Sequence, residues 1–154
     1  MKVYLALGSN VGDRAAQLAF AREQLIENGV DIEVTSEVEE TDPVGGPPQP
    51  KYLNQVLQAE TDHTPRQLLT VLKRIEGAAG RRADGERWGP RELDIDILLY
   101  GHMTISTPEL TIPHPQLVNR EFLLRELRQV DPKLTDKVSG LTAEQLGREL
   151  EESR

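Results

Sequence analysis

The stretch Arg87–Gly101, with the sequence RWGPRELDIDILLYG, contains the strand on which the predicted fold depends. From residue 93 onward apolar and acidic residues alternate, which is typical of an extended strand with one face buried. The side chains predicted to share the buried face are those of Leu93, Ile95, Ile97 and Leu99. Asp94 and Asp96 then lie on the opposite face, about 7 Å apart, because each residue of a strand rises about 3.3 Å.

The residues before this strand predict the element order β-α-β-β-α-β. The predicted elements are strand Val3–Leu7, a helix from Asp13 to Gly29, strand Asp31–Glu39, strand Tyr52–Glu60, a helix from Thr64 closed by Gly77 and Gly80, and the strand from Leu93. This is the order of the ferredoxin-like α+β fold, in which two helices cover one face of a four-stranded antiparallel sheet. Packing the apolar residues of the last strand against those helices leaves the two aspartates on the open face.

The sequence of the C-terminal third predicts further strands and helices beyond this α+β unit. Thr104–Ile112 is predicted to form short strands, and the turn Pro113-His114-Pro115 follows. Helices are predicted from Asn119 to Val130 and from Thr142, where a capping box ends at Gln145. With no repeat or linker, we expect residues 1–154 to form one domain with a C-terminal hairpin and helices.

Composition narrows the class of function. The 154 residues carry a formal net charge of −8 and no cysteine. The acidity argues against a nucleic-acid-binding domain, and the absence of a long apolar run predicts a cytoplasmic protein outside the membrane, with a monomer expected. The basic residues nevertheless cluster within one short span: Lys73, Arg74, Arg81, Arg82, Arg87 and Arg91. An acidic protein with one basic patch fits a small anionic ligand.

The aspartate pair and the neighbouring arginines predict a place where magnesium and phosphate meet. Magnesium takes oxygen ligands and keeps several waters, so two aspartates plus nucleotide phosphates would fill its coordination sphere. Arginine is well suited to phosphate oxygens. The simpler interpretation of an Asp-x-Asp pair is a solvated strand face, and the adjacent cations favour a site.

Several motifs together resemble one family. They are LALGSNVGDR near the start, TDPVG and QPKYLNQV, RIE and GRR, ERWGPRELDIDILLYG, and finally LTIPHP and NREF. The chain resembles the 6-hydroxymethyl-7,8-dihydropterin pyrophosphokinases of folate biosynthesis over nearly its whole length. The resemblance implies a ferredoxin-like fold, ATP as co-substrate with two Mg²⁺ ions, and transfer of pyrophosphate from MgATP to the pterin hydroxymethyl group with release of AMP.

The resemblance also assigns roles to particular residues. Asp94 and Asp96 match the magnesium ligands, while Arg81 and Arg91 match loop arginines that stabilise the transferring phosphates. The positions that match the pterin pocket are Thr41, Val44, Tyr52, Asn54, Trp88 and Phe122. The positions that match the nucleotide site are Lys73, Arg74, Arg87, Ile97, Thr111, His114 and Arg120.

Other interpretations stay open at the level of the sequence. Trp88 fits a residue that holds a loop on the sheet, and Phe122 fits a helix core position. The same Asp-x-Asp pair would serve another magnesium-nucleotide transferase, such as a nucleotidyltransferase, which releases inorganic pyrophosphate. A non-catalytic ferredoxin-like binding module is the third alternative, although an RNA-binding module would carry aromatic residues and basic charge on the open face.

Overall fold

The computed structural model describes residues 1–43, 50–82 and 93–152, without the side chains of Arg81 and Arg82. Its elements follow the predicted order and continue beyond it. They are β1 (Lys2–Ser9), α1 (Arg14–Glu27), β2 (Val30–Thr35), β3 (Glu39–Thr41), β4 (Tyr52–Thr61), α2 (Pro65–Arg82), β5 (Asp94–Tyr100), β6 (Ile105–Ser106), β7 (Thr111–Ile112), α3 (Glu121–Val130), α4 (Pro132–Val138) and α5 (Ala143–Glu152).

The central sheet has the strand order β2-β4-β1-β5, and each neighbouring pair is antiparallel. With α1 and α2 as the two connecting helices, this arrangement confirms the predicted ferredoxin-like fold. The short strand β3 also pairs with β4, and β6 and β7 form the predicted hairpin. The alternating residues Asp31–Glu39 thus form two strands, because pairing of β2 ends at Thr35 and β3 resumes at Glu39.

Each face of the sheet has its own apolar core. The first core joins the sheet to α1 and α2, and Val3, Leu5 and Leu7 of β1 point into it. The second core lies on the opposite face and joins Tyr4 and Val56 to residues of α3, α4 and α5. Because successive side chains of a strand point to opposite faces, the apolar run of β1 contributes to both cores. The face that was predicted to be open is therefore partly covered.

A change of register in β5 overturns one prediction. Tyr4 pairs with Leu99 and Leu5 pairs with Ile97, so Leu98 is an extra residue on β5. Leu98 and Leu99 both lie in the second core, whereas Ile95 and Ile97 lie in the first. The prediction that Leu99 shares a face with Ile95 was wrong, because the bulge reverses the alternation after residue 97.

The predicted capping boxes are confirmed, whereas one predicted helix end is not. Thr64 N donates to Gln67 Oε1 at 2.9 Å, and Gln67 N donates to Thr64 Oγ1 at 3.2 Å. The same reciprocal bonds join Thr142 and Gln145. However, α2 does not close at its glycines but continues to Arg82. Ala79 packs in the first core and helps to hold this last turn, so Arg81 belongs to a helix and not to a loop.

Helix α4 was absent from the predicted elements. Asp131 caps it by accepting a hydrogen bond from Leu134 N at 3.1 Å, and Pro132 occupies its first turn. This Asp-Pro pair is the sequence signal that could have revealed the helix. No helix in the described parts of the chain is both long and apolar enough to cross a membrane.

Candidate active site

Small residues on the central strand open a space above the second face of the sheet. Gly8 of β1 pairs with Asn54 on one side and with Asp94 on the other, so these three residues form one row across the sheet. In the next row Ala6 pairs with Asp96. A Cβ atom added at Gly8 would lie 3.3 Å from Asn54 Oδ1. The glycine therefore leaves room between the amide of Asn54 and the carboxylate of Asp94.

A cavity of about 190 Å³, here called the first cavity, stands above this row. Strands β3 and β4 provide part of its lining, and the start of α3 provides another part. The described residues that line it include Thr41, Tyr52, Asn54, Asp94, Asp96, His114, Arg120 and Phe122. The structure thus brings together four of the six residues that the resemblance assigned to the pterin, along with both aspartates.

Hydrogen bonding fixes the orientation of Asn54 in this wall. Asn54 Nδ2 donates to Thr41 Oγ1, so the amide oxygen is directed to the other side. Tyr52 lies beside the pair, and burial together with the charge of Asp94 raises the pKa of its hydroxyl, with Arg120 opposing the shift. Tyr52 is therefore a neutral donor and Asn54 a fixed amide, which suits a flat ligand with amide-like edges.

A second cavity of about 240 Å³ lies on the α2 side of the aspartates. Among its lining residues are four that the resemblance assigned to the nucleotide: Lys73, Ile97, Thr111 and His114. Asp96 and His114 line both cavities. The two spaces therefore meet at a carboxylate and an imidazole, which is the place where groups bound in the two cavities would face each other.

His114 is held firmly at this junction. Its backbone N–H donates to Leu98 O at 2.9 Å, next to the bulge in β5, and its Nδ1 accepts from Gln116 N at 3.1 Å. In the neutral ring the proton therefore resides on Nε2, which makes this atom a donor. Burial lowers the pKa of His114, Arg120 lowers it further, and the charge of Asp96 opposes the shift.

Arg120 supplies positive charge to the lining of the first cavity. It precedes the first residue of α3, and its Nε atom is buried without a hydrogen-bond partner among the described residues. A buried guanidinium N–H without a partner is costly, so this group is suited to an anionic ligand. Its charge acts on both Tyr52 and His114, which places it near both walls of the junction.

Glu76 is the last residue of the RIE motif, to which the sequence assigned no role, and it ties α2 to β5. Glu76 Oε2 accepts a hydrogen bond of 2.8 Å from the backbone N of Ile95, the residue between the two aspartates. Its side chain is 8% exposed, and Lys73 Nζ lies 3.4 Å from its other oxygen. Helical periodicity places Glu76 on α2 but gives no sign that it reaches β5. The geometry makes it a positioning residue for Asp94 and Asp96.

Removing this tie is expected to weaken metal-dependent activity. In Glu76→Ala the backbone N–H of Ile95 loses its acceptor, and the aspartates lose part of their orientation. We expect the Mg²⁺ concentration for half-maximal activity to rise about tenfold, with Glu76→Gln close to the wild type because its amide oxygen still accepts. A magnesium titration of activity measures this, with the exposed Glu144→Ala as the control. Equal titrations for the alanine variant and the wild type would contradict the assigned role.

The remaining predicted residues fall outside these cavities or outside the described residues. Arg74 is exposed on α2 and is not among the described residues that line either cavity. The side chain of Arg81 is not described, although its backbone lies in the last turn of α2. The other predicted site residues that lie outside the described ranges are Val44, Arg87, Trp88 and Arg91.

The described residues contain no group of three or more histidine, aspartate or glutamate side chains that could hold a metal by themselves. Asp94 and Asp96 nevertheless share one sheet face beside the junction of the cavities. Their carboxylates are hard oxygen donors, which fits a magnesium ion whose remaining ligands are waters and phosphate oxygens.

Comparison with known proteins places the chain in a family. A family model described as 7,8-dihydro-6-hydroxymethylpterin-pyrophosphokinase (HPPK) matches residues 4–132. The chain belongs to this family. A 2-amino-4-hydroxy-6-hydroxymethyldihydropteridine pyrophosphokinase of Aquifex aeolicus is 44% identical over 132 residues, covering 86% of this chain and 81% of the relative. The Bacillus subtilis protein of the same name is 37% identical over 145 residues, covering 94% and 86% respectively. The chain is therefore an enzyme of the HPPK type.

A solved structure supports the fold independently. The crystal structure of an HPPK-DHPS in complex with substrates superposes with a TM-score of 0.69 at 14% identity. The match covers 99% of this chain and 43% of that larger chain. The fold of the HPPK family thus extends through the C-terminal helices of the present chain.

Proposed function

We propose that this enzyme transfers pyrophosphate from MgATP to the hydroxymethyl group of 6-hydroxymethyl-7,8-dihydropterin, a step of tetrahydrofolate biosynthesis. The observation that carries the proposal is the meeting of two cavities at Asp96 and His114. A pterin in the first cavity and a nucleotide in the second would bring the acceptor hydroxyl and the phosphates to the same place. Membership of the HPPK family supports this assignment.

The first cavity is assigned to the pterin. The fixed amide of Asn54 would pair with one edge of the ring, and Tyr52 and Phe122 would contact its faces or rim. Thr41 holds the amide of Asn54 in place through its hydroxyl. Val44 and Trp88, which lie outside the described residues, are proposed to complete this site.

The second cavity is assigned to ATP. Lys73 and the Nε2–H of His114 would contact phosphate or ribose oxygens, and Ile97 and Thr111 would contact the nucleoside. Arg74, Arg87 and Arg120 are proposed to add positive charge around the triphosphate. The Nε atom of Arg120 is buried and has no hydrogen-bond acceptor among the described residues, which supports this role.

Asp94 and Asp96 are the residues that would hold two magnesium ions. Bound there with the triphosphate, magnesium supplies Lewis-acid polarisation of the phosphoryl oxygens and neutralises their charge. The chain's own contribution is to fix both carboxylates on one rigid strand, with Glu76 holding the peptide between them. Strand and helix positions keep such carboxylates more precisely oriented than a loop would.

The reaction forms a bond between the pterin hydroxyl oxygen and the β-phosphorus of ATP. The bond between that phosphorus and the oxygen bridging to the α-phosphate breaks, and AMP leaves with the electron pair. Arg81 and Arg91 are proposed to stabilise the charge on the transferring phosphates. The hydroxyl proton is released to a carboxylate or to water as the new bond forms, and the positions of both substrates supply much of the rate enhancement.

The product formed from ATP tests the proposal. The protein is incubated with ATP, Mg²⁺ and 6-hydroxymethyl-7,8-dihydropterin, and the nucleotide product is identified by chromatography. We expect AMP in equal amount to a pterin diphosphate, and none without the pterin. Inorganic pyrophosphate as the product would indicate a nucleotidyltransferase, and no turnover would favour a binding module. Either result would refute the proposed reaction.

A further inference from the structure

Glu126 occupies a position in α3 where an apolar residue would be expected. The buried side of this helix consists of Leu123, Glu126, Leu127 and Val130, a spacing typical of a helix packed on a sheet. Glu126 is 0% exposed. A carboxyl group buried to this extent is costly unless it is paired or protonated. Packing alone therefore does not explain a glutamate at this position.

The group that Glu126 faces is another carboxyl, that of Glu39 in β3. No N–H or hydroxyl group among the described residues donates to either oxygen of Glu126. Burial, the charge of Glu39 and a hydrogen bond with Glu39 raise the pKa of Glu126 to about 8, and Arg125 opposes the shift. Glu39 also accepts a hydrogen bond from Arg125 Nη2. At neutral pH Glu126 is therefore mainly protonated and can donate a hydrogen bond to Glu39.

Other charged groups near α3 do not compete for this contact. On the elements packed against the helix, Gln58 donates to Glu33 at 3.4 Å, Tyr4 donates to Asp131 at 2.5 Å, and Arg128 pairs with Asp136 at 2.8 Å. The side chains of Glu121, Lys133 and Lys137 are exposed. Glu39 and Arg125 are therefore the charged groups that govern Glu126.

The link between Glu126 and Glu39 joins two elements that both line the first cavity. Glu39 lies two residues before Thr41 on β3 and pairs with Asn54 of β4. Phe122 at the start of α3 and the preceding Arg120 line the same cavity. A second contact between α3 and the residues before β3 is the hydrogen bond from Glu37 N to Gln129 Oε1 at 2.7 Å. The shape of the cavity therefore depends on how closely α3 is held to β3.

We propose that Glu126 is a positioning residue that, as a neutral acid, holds α3 to β3 through Glu39 and so sets the shape of the first cavity. The assignment of the pterin to that cavity is taken from the proposed function. When Glu126 loses its proton, the two carboxylates repel each other, α3 and β3 separate and the pterin binds more weakly. The second cavity, which β3 does not line, is unaffected.

Steady-state kinetics at two pH values test the inference. For the wild type we expect the KM for the pterin to rise about tenfold from pH 7 to pH 9, because the protonated fraction of a group with a pKa of about 8 falls by that factor. Glu126→Gln retains an N–H donor and cannot ionise, so its KM should change much less over this range. The kcat and the KM for ATP should follow the same pH course in both proteins.

A leucine variant separates positioning from packing. Glu126→Leu fills the apolar stripe but cannot donate to Glu39, so we expect a raised KM for the pterin at both pH values with kcat retained. If the leucine variant matched the wild type at pH 7, or if the glutamine variant followed the wild-type pH course, the inference would be overturned.

Hydrogen exchange gives a readout that needs no substrate. The Glu37 amide and the amides of α3 should lose protection in the wild type between pH 7 and pH 9, after correction against Glu126→Gln for the intrinsic pH effect. Unchanged protection in the wild type would overturn the inference. If instead no variant turned over the pterin while protection changed as expected, the proposed function would fail and the link between α3 and β3 would stand.

Thermal unfolding tests the direction in which pH changes the stability of the protein. Because the pKa of Glu126 is raised from 4.5 to about 8 in the folded protein, the unfolded chain releases this proton at lower pH. The contribution of Glu126 to stability therefore falls as pH rises from about 4.5 to about 8 and is constant outside this range. The Tm of Glu126→Gln relative to the wild type should increase across that interval, and a constant difference would contradict a raised pKa.

Discussion

The Asp96→Ala variant is expected to lose at least about a thousandfold in kcat, which corresponds to about 4 kcal/mol of transition-state stabilisation. Asp96 lines both cavities and is proposed to hold magnesium against the phosphates of ATP. Its side chain is exposed, so its removal leaves no hole in either apolar core and the fold should persist. The rate of AMP formation at saturating ATP and magnesium measures the effect, and circular dichroism verifies the fold.

A matched substitution on another strand controls for the loss of a negative charge. Asp31 lies in β2 with an exposed side chain, pairs with Glu60 at the end of β4 remote from Tyr52 and Asn54, and lines neither cavity. Asp31→Ala should retain kcat within about twofold, as expected for an exposed site away from the reaction. A similar loss in both variants would show that net charge, and not a metal site at Asp96, determines the rate. Residual activity of Asp96→Ala above a tenth of the wild type would refute the assigned role.

The Gly8→Val variant is expected to raise the KM for the pterin at least about a hundredfold. A Cβ atom at this position already lies 3.3 Å from Asn54 Oδ1 and 3.6 Å from Tyr52 Cδ1, so the two methyl groups of valine would occupy the floor of the first cavity. The backbone of Gly8 is not among those with a positive φ, and valine is favourable in a strand. Steric exclusion of the pterin is therefore the expected cause of the loss.

The two cavities give this prediction an internal control. The affinity for MgATP, measured by calorimetry without pterin, should change by less than about threefold, because Gly8 does not line the second cavity. Gly8→Ala should lie between the wild type and the valine variant, since one methyl group requires only a small displacement of Asn54. If Gly8→Val retained the wild-type KM for the pterin, the assignment of the first cavity to that substrate would be wrong.

The fold was largely predictable because local signals agreed with one another. The apolar run of β1, the alternation in β5 and the capping box at Thr64 each depend on neighbouring residues, and together they support the ferredoxin-like order. The end of α2 and the bulge at Leu98 were not predictable in this way. Both depend on tertiary packing: Ala79 enters the first core, and Leu98 and Leu99 turn to a second core that local periodicity does not reveal.

Most residues of the candidate site were predictable from the motifs shared with a family, and fewer from physical argument alone. Alternation alone placed Asp94 and Asp96 on one face, and the family resemblance supplied the residues that line the cavities around them. Neither approach assigned a role to Glu76 or Glu126, because each acts through a contact between elements distant in sequence. An acidic residue within the apolar stripe of α3 was the one available signal for Glu126.

The bulge at Leu98 separates two parts of β5 that have different roles on the second face of the sheet. Before it, β5 presents aspartates to the cavities, and after it, β5 presents leucine to α3, α4 and α5. Because the bulge falls between these two parts, a change in how the leucine half packs against the helices need not turn the aspartates away from the cavities. One extra residue thus separates the demands of packing from those of the candidate site on a single strand.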